Sequence, residues 1–270
     1  MSVKADQIRQ HVRKSYAQVA EANNRGSCCG QAESCCGVSD DAAINALIST
    51  RLGYTEEDLA RVPEGADMGL GCGNPKAIAE LQPGEVVIDL GSGGGFDAFL
   101  AAQEVGEEGH VIGVDMTPAM ISKARANAEK GRFTNVEFRL GEIEHLPVAD
   151  SAADVVMSNC VINLSPDKPQ VFCEAFRVLK PGGRLAISDV VATAVMPEEM
   201  KNDPYLHAGC MAGAELIEDL ECMLSTAGFC HISIVPKDES REFIRDWAPE
   251  RGVENYVASA FIKAVKPAAC

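Results

Sequence analysis

Basic residues, apolar runs and targeting signals are scarce or absent in this sequence, and each absence narrows the range of functions. The 270 residues include 24 Lys and Arg against 40 Asp and Glu, for a formal net charge of −16 at pH 7. Because phosphate binding needs clustered Lys and Arg, we expect neither a nucleic acid nor an anionic membrane as a partner. No apolar run reaches the length of a membrane-spanning helix, and residues 1–14 contain no apolar signal-peptide core. We therefore expect a cytoplasmic protein.

Cysteine, in contrast, is abundant, with eleven residues in the chain. That number would predict a disulfide framework in a small secreted protein, but this chain is larger and shows no export signal. In a reducing compartment, an excess of cysteine indicates ligation of a soft metal, redox chemistry or use as a small buried apolar residue.

The stretch over residues 86–97 reads VVIDLGSGGGFD and organises the chain. Four apolar residues around one acid predict a strand buried on both faces, and a helix is predicted over residues 96–105. The turn between them contains Gly91, Gly93 and Gly95, where a side chain would block a ligand or strain the backbone. Because the following helix begins with free N–H groups, we predict a nucleotide-sized site at this point.

Strands and helices alternate regularly through the middle of the chain. Strands are predicted at residues 86–90, 110–115, 136–140, 153–157 and 184–190, with helices at residues 96–105, 119–130 and 168–179. This alternation predicts an α/β fold with an open parallel sheet covered by helices on both faces. Two later strands, at residues 229–235 and 256–265, are expected to pair antiparallel at the sheet edge.

The segments outside this core have different patterns. Helices are predicted at residues 3–22 and 41–52, and Thr55 with Asp58 nearly forms a capping box at the start of a shorter helix. Residues 193–211 are expected to be irregular, and residues 214–227 to form an amphipathic helix.

The glycine turn has the spacing G-x-G-x-G, which differs from the G-x-G-x-x-G of pyrophosphate-binding folds. Over roughly residues 80–190 the chain resembles the class I S-adenosylmethionine-dependent methyltransferases. The segments that carry the resemblance, besides the glycine turn, are Asp115, GEI at residues 141–143, SN at residues 158–159 and LKPGG at residues 179–183. It implies a Rossmann-like open sheet, mostly parallel with an antiparallel edge, and S-adenosyl-L-methionine as the cofactor.

The resemblance also implies which residues bind the cofactor. Gly91 and Gly93 would cradle its amino-acid part, Asp115 its ribose, and Met116 would flank the adenine, while Asn159 would reach the methionine end. An acid such as Asp89 near the turn suits a ligand with a sulfonium and an amino group. The residues expected to bind the cofactor are Tyr16, Asp89, Gly91, Ser92, Gly93, Gly95, Asp115, Met116, Gly141, Glu142, Ile143 and Asn159.

Three cysteines fall where such a sheet places its substrates. Cys160 follows the fourth strand, Cys72 lies in a glycine-rich turn before the core, and Cys210 lies in the segment after the fifth strand. The surrounding sequences are similar to those of the arsenite S-adenosylmethionine methyltransferases, beyond about residue 40. They read GLGCGNP at residues 69–75, SNCVINL at residues 158–164 and GCMAGA at residues 209–214.

This second resemblance implies that Cys160 and Cys210 hold trivalent arsenic, and that Cys72 acts as a third ligand and in disulfide exchange with an N-terminal cysteine. The candidates for that redox partner are Cys28, Cys29, Cys35 and Cys36, and the sequence does not choose among them. Zinc binding by these two vicinal pairs is an alternative. Members of the family often carry Tyr-Tyr-Gly near the N-terminus, where this chain has only Tyr16 as a candidate cofactor contact.

Arsenic chemistry agrees with these ligands, because trivalent arsenic is soft and thiophilic. Three thiolates leave a lone pair that attacks the sulfonium methyl group, so catalysis is mostly positioning. Transfer raises arsenic to the pentavalent state, and a dithiol that becomes a disulfide returns the electrons. Glutathione, another external thiol or a thioredoxin-like reductant would then reset the enzyme, which we expect to be a monomer.

We divide the chain into an N-terminal helical and cysteine-rich extension (residues 1–80), a cofactor-binding core (residues 81–192) and a C-terminal arsenic-binding region that completes the sheet (residues 193–270). The remaining cysteines within this framework, Cys173, Cys222 and Cys230, are expected to be small buried residues, and Cys270 a tail residue. Two other functions stay open: a C-methyltransferase for quinone-like or sterol-like molecules, and a non-catalytic metalloid- or zinc-binding protein.

Overall fold

The computed structural model of this protein describes residues 3–22 and 41–268. The N-terminal helices are α1 (Val3–Ala22), α2 (Asp41–Arg51), α3 (Glu56–Ala60) and α4 (Lys76–Ala79). The core contains β1 (Val86–Leu90), α5 (Phe96–Val105), β2 (His110–Asp115), α6 (Pro118–Gly131), β3 (Val136–Leu140), β4 (Ala153–Asn159), α7 (Lys168–Val178) and β5 (Leu179–Ala192). The C-terminal elements are α8 (Glu198–Lys201), α9 (Pro204–Ala208), α10 (Ile217–Ala227), β6 (Cys230–Lys237), α11 (Ser240–Trp247) and β7 (Val257–Val265). Short 3₁₀ helices occur at Ile162–Leu164 and Val253–Asn255.

The described strands form one seven-stranded sheet in the order β3-β2-β1-β4-β5-β7-β6. Strands β1 to β5 run parallel, whereas β7 pairs antiparallel with both β5 and β6. The chain moves from β1 towards one edge through β2 and β3, and then crosses to the other side of β1 with β4. Ligands of open α/β sheets bind at such a reversal, outside the carboxyl ends of the strands. The expected fold class and antiparallel edge are therefore confirmed.

Both faces of the sheet are buried because alternate residues of each strand point to opposite sides. On one face, Ile88 belongs to a cluster with Phe172 of α7 and Leu224 of α10. On the other face, Val87 packs in a cluster with Phe99 of α5. These residues are at most 1% exposed, and full burial of each apolar side chain contributes about 1.5–3 kcal/mol. The two cores hold the carboxyl ends of β1 and β4 in fixed positions.

Parts of the C-terminal half differ from the sequence prediction. The expectation that residues 193–211 are irregular was wrong, because they contain α8 and α9. The Asp203 side chain accepts hydrogen bonds from the backbone N–H groups of Tyr205 and Leu206, which caps the start of α9. Strand β5 also begins earlier than predicted, at Leu179, which pairs with Ala153 across a register shift. Helix α11 was not predicted.

The expected burial of three other cysteines was also wrong. Cys173 and Cys222 are exposed, and Cys230 is partly exposed. Helices α7 and α10 turn Phe172 and Leu224 inward, so the cysteines fall on outer faces of these helices. Within the described ranges, no helix is long and apolar enough to cross a membrane. Cys28, Cys29, Cys35, Cys36 and Cys270 lie outside the described residues.

Candidate active site

A cavity of about 330 Å³ lies at the carboxyl ends of β1 and β4. One wall is the glycine turn after β1, and the other walls come from α1, residues 66–71, the end of β2 and residues 208–210. The cavity is therefore built from the sheet core together with segments from both ends of the chain.

The glycine turn leaves room where side chains would interfere. Gly91 has φ 68° and Gly93 has φ 51°, in the left-handed region that favours glycine. A Cβ atom on Gly91 would lie 2.3 Å from a Val161 methyl carbon, so the turn and the loop after β4 approach closely. The Gly93 N–H donates to Asp115 Oδ2 at 3.0 Å, which joins the turn to the end of β2.

Two buried carboxyl groups, those of Asp89 and Asp97, and the partly buried carboxyl group of Asp115 lie beside this turn. Burial raises the pKa of Asp89 well above its ordinary value, and the nearby Asp97 and Asp115 carboxyls raise it further. Burial also raises the pKa of Asp97 to about 6 and the pKa of Asp115 above its ordinary value. Asp89 Oδ2 is buried and has no hydrogen-bond partner among the described residues. Such a set of acids fits a ligand that brings positive charge into the cavity.

The structure brings most of the predicted cofactor residues together. Those that line the cavity are Tyr16, Asp89, Gly91, Ser92, Gly93, Asp115, Met116, Ile143 and Asn159. Three others lie beside it: Gly95 faces the rings of Phe99 and Phe138, Gly141 faces Pro147, and Glu142 pairs with Arg9 and Arg13.

The Cys72, Cys160 and Cys210 side chains meet in one buried cluster at the end of the cavity. The Cys160 thiol contacts the thiols of both Cys210 and Cys72, and these contacts, with burial, raise its pKa well above the ordinary value. Cys210 Sγ also lies 2.6 Å from the Cys160 carbonyl oxygen, to which it donates. Cys160 and Cys210 line the cavity, whereas Cys72 is 0% exposed and is not one of the lining residues.

Asn159 holds the turn that carries Cys72. Its Oδ1 accepts the Cys72 N–H at 3.0 Å, and its Nδ2 donates to the Gly73 carbonyl at 2.9 Å. The same Nδ2 lies 3.0 Å from the Tyr54 hydroxyl and 3.1 Å from Asp97 Oδ2. The Tyr54 hydroxyl in turn donates to Asp97 Oδ1 at 2.6 Å. Sequence reasoning did not identify Tyr54 and Asp97 as site residues. The position of Asp97 in the first turn of the predicted helix, directly after the glycine turn, was the signal that could have identified it.

A second buried network joins the Cys160 and Cys210 loops. Asn163 Nδ2 donates to the Cys210 carbonyl at 3.2 Å, to the Val190 carbonyl at 2.6 Å and to Asp189 Oδ1 at 2.9 Å. Asp189 Oδ2 accepts the Ile162 N–H at 2.9 Å. Burial raises the pKa of Asp189 to about 6. Sequence reasoning missed Asn163 and Asp189, although Asp189 lies near the carboxyl end of a predicted strand and Asn163 lies in the segment that follows another.

Helix α1 covers the cavity and is held by ion pairs. Arg9, only 4% exposed, pairs with Glu144 at 2.8 Å and with Glu142 at 3.4 Å. Glu144 also accepts the Ser165 hydroxyl at 2.7 Å. This attachment places Tyr16 over the thiols: its hydroxyl donates to the Ala208 carbonyl, and burial, followed by proximity to Cys210, raises its pKa.

Residues 81–228 match a protein family described as a methyltransferase domain. A curated arsenite methyltransferase from Halobacterium salinarum is 55% identical over 270 aligned residues, which cover 97% of this chain and 68% of that protein. This chain belongs to the arsenite methyltransferase family.

Other members of the arsenite methyltransferase family are also similar to this chain in sequence and in structure. The mouse arsenite methyltransferase is 36% identical over 247 residues, 87% of this chain and 61% of its own length. The crystal structure of an arsenic(III) S-adenosylmethionine methyltransferase from Chlamydomonas reinhardtii matches with a TM-score of 0.60 at 34% identity, covering 83% of this chain and 73% of that one. The chain thus spans about two thirds of these relatives. The predicted membership of the arsenite methyltransferase family and the predicted dependence on S-adenosylmethionine are confirmed.

Proposed function

We propose that this protein transfers methyl groups from S-adenosyl-L-methionine to trivalent arsenic held by Cys72, Cys160 and Cys210. The observation that carries the proposal is the meeting of three thiols from remote segments at one end of a cavity built around a glycine turn. A C-methyltransferase for quinone-like or sterol-like substrates would have no use for this cluster.

The residues around the turn fit the cofactor. S-adenosylmethionine supplies an electrophilic methyl group on a sulfonium. Gly91 and Gly93 line the cavity, and the unpartnered Asp89 Oδ2 can accept a hydrogen bond from an ammonium group. The ionised forms of Asp97 and Asp115 would attract the positively charged groups of the cofactor. The position of Asp115 at the end of β2 suits a hydrogen bond to a ribose hydroxyl.

Arsenic is the nucleophile in this proposal. Three thiolates hold trivalent arsenic in a pyramid and leave its lone pair free, so no general base is needed. Cys160 and Cys210 line the cavity, which directs arsenic bound to them towards the cofactor. The lone pair forms the bond to carbon as the bond between carbon and the sulfonium sulfur breaks. Well-aligned reactants gain effective concentrations of about 10⁵ M or more, which makes positioning the main contribution of the protein.

Methyl transfer oxidises arsenic from the trivalent to the pentavalent state. Two cysteine thiols then give two electrons to arsenic, lose their protons and form a disulfide. In our proposal Cys72 is one of these thiols and Cys28, Cys29, Cys35 or Cys36 is the other. An external thiol such as glutathione, or a thioredoxin-like protein, reduces the disulfide and is itself oxidised.

We also propose that the three parts of the chain divide this work in a monomeric, cytoplasmic enzyme. Residues 1–80 supply Tyr16 and Cys72, residues 81–192 bind the cofactor and supply Cys160, and residues 193–270 supply Cys210. The packing of α1 against α9 and the 3₁₀ helix after β4 supports a role for the first part in closing the site.

The direct test is to incubate the purified chain with cofactor, thiol and arsenite, and to identify the arsenic species by chromatography. Cys160→Ser and Cys210→Ser should abolish methylation of both arsenite and monomethylarsenite, because each removes a thiol that faces the cavity. Cys72→Ser should retain activity on monomethylarsenite, which needs fewer thiol ligands. Cys173→Ser, which changes an exposed cysteine, is the matched control. Full activity of Cys160→Ser or Cys210→Ser would refute the proposal.

A further inference from the structure

Asp189 lies beside the thiol cluster, where it helps to hold the loops that carry Cys160 and Cys210, and arsenic methylation needs no carboxylate ligand there. The Cys72 and Cys160 sulfurs and an Asp189 carboxylate oxygen all lie within 4.8 Å of one another, and all three residues are buried. Cys210, whose thiol contacts that of Cys160, adds a further sulfur to the group. The cluster therefore combines three soft donors with one hard donor.

This donor set exceeds what trivalent arsenic needs. Arsenic is satisfied by three thiolates, whereas Zn²⁺ takes four ligands in a tetrahedron, with sulfur at about 2.3 Å and carboxylate oxygen at about 2.0–2.2 Å. Two sulfurs and one oxygen within 4.8 Å of one another can converge on such an ion with small side-chain movements. The Cys210 sulfur contacts that of Cys160 but lies outside this group of three, so it takes the fourth position after its side chain moves towards the other donors.

The surroundings of Asp189 are those of a carboxylate prepared for a cation. Its oxygens accept the N–H groups of Ile162 at 2.9 Å and Val190 at 2.8 Å and the Asn163 amide at 2.9 Å, which fix its orientation. Supporting hydrogen bonds of this kind orient metal-binding carboxylates. Within residues 3–22 and 41–268, no Lys, Arg or His forms an ion pair with Asp189. Burial of a carboxylate that forms no direct ion pair is costly; the Lys168 charge offsets part of that cost, and a bound cation removes the rest.

We propose that Cys72, Cys160 and Asp189, with Cys210 as the fourth donor, form a zinc site. Zn²⁺ binds there to three thiolates and one carboxylate, with the thiol protons released to solvent. Since the sulfurs are those assigned to arsenic, Zn²⁺ and arsenite exclude each other; this competition rests on the proposed function, whereas zinc binding does not.

The test uses the full chain with Cys28, Cys29, Cys35 and Cys36 replaced by Ser, which removes the alternative zinc ligands of the N-terminal segment. Zn²⁺ affinity is measured by competition with a chromogenic chelator, and arsenite affinity by equilibrium dialysis. Asp189→Asn should weaken Zn²⁺ affinity at least tenfold and arsenite affinity by a clearly smaller factor, because Asp189 would bind Zn²⁺ directly but acts on arsenite only through the loops that carry the thiols. Asp58→Asn, at a carboxyl that is likewise buried but pairs with Lys76, should change neither affinity.

Zinc binding of equal strength in Asp189→Asn and its parent would overturn the proposal, as would equal losses of zinc and arsenite affinity. X-ray absorption of the zinc-loaded parent gives a second measurement that needs no change at Asp189. A mixed shell of sulfur and oxygen supports the site, and a shell without sulfur or without oxygen overturns it. Zinc binding without arsenite binding in the parent would contradict the proposed function and leave the zinc site standing.

Discussion

Replacing Asn159 by alanine should loosen the thiol cluster more than the cofactor site. The substitution removes four hydrogen bonds and leaves the Cys72 N–H, the Gly73 carbonyl and the Asp97 carboxyl each without one partner. An unsatisfied buried polar group costs about 1–3 kcal/mol. Three such groups at the lower value of about 1 kcal/mol each give a total of about 3 kcal/mol. Because the surrounding structure relaxes in part, we expect the free energy of unfolding to fall by about this lower total.

That loss is a large part of a stability of about 5–15 kcal/mol, yet the protein should remain folded at 25 °C. At about 2–4 °C for each kcal/mol, the midpoint of thermal unfolding should fall by about 6–12 °C. Because the Cys72 N–H loses its anchor, arsenite affinity in Asn159→Ala should fall at least tenfold. Cofactor affinity, measured by calorimetry, should fall by less.

The matched control is Asn135→Ala, which removes an amide that donates to the Ala102 and Gly106 carbonyls far from the thiols. It should lower the unfolding midpoint but leave arsenite affinity unchanged. If Asn159→Ala weakened only cofactor binding, Asn159 would be a cofactor contact and the argument for its role in holding Cys72 would be refuted.

Three further predictions concern the cofactor pocket and its cover. Burial raises the pKa of Asp97 from 3.8 to about 6, so between these pH values the folded cofactor-free protein retains a proton that the unfolded chain releases. The free energy of unfolding should therefore fall as the pH rises from about 4 to about 6. Cofactor affinity should rise over the same range, because the positive charge favours the ionised carboxylate; calorimetry showing no proton release at pH 5.5 would contradict this. Asp115→Ala should weaken cofactor binding by calorimetry and leave arsenite binding measurable, and unchanged cofactor affinity would remove its proposed role. Arg9→Ala breaks a buried ion pair and should cost about 3–5 kcal/mol in urea unfolding, with faster proteolysis of α1; a loss below 1 kcal/mol would show that α1 is held by apolar packing instead.

The sequence predicts the sheet core well because its signals are local. The strand over residues 86–90 and the helix over residues 96–105 have the predicted bounds, since the apolar run and the glycine turn mark both ends. The same holds for the capping box of Thr55 and Asp58. The three cysteines that meet at the site were predicted from strand ends and from the family resemblance.

The polar networks behind those cysteines were not predictable in this way. Tyr54 and Asn159 are 105 residues apart, and their hydrogen bond depends on the final packing of α2, α3 and β4. Asp189 has the sequence context of an ordinary strand residue, and its place beside two thiols appears only in three dimensions. Cys173 and Cys222 were predicted to be buried because cysteine is usually a buried residue. They are exposed, because each lies on the outer face of its helix.

Arsenic X-ray absorption of the full chain, loaded with one equivalent of arsenite after Cys28, Cys29, Cys35 and Cys36 are replaced by Ser, tests the central claim most directly. We predict three sulfur neighbours, falling to two when Cys72, Cys160 or Cys210 is also replaced by Ser. A first shell with oxygen, or one that the Cys160→Ser change leaves intact, would contradict the account.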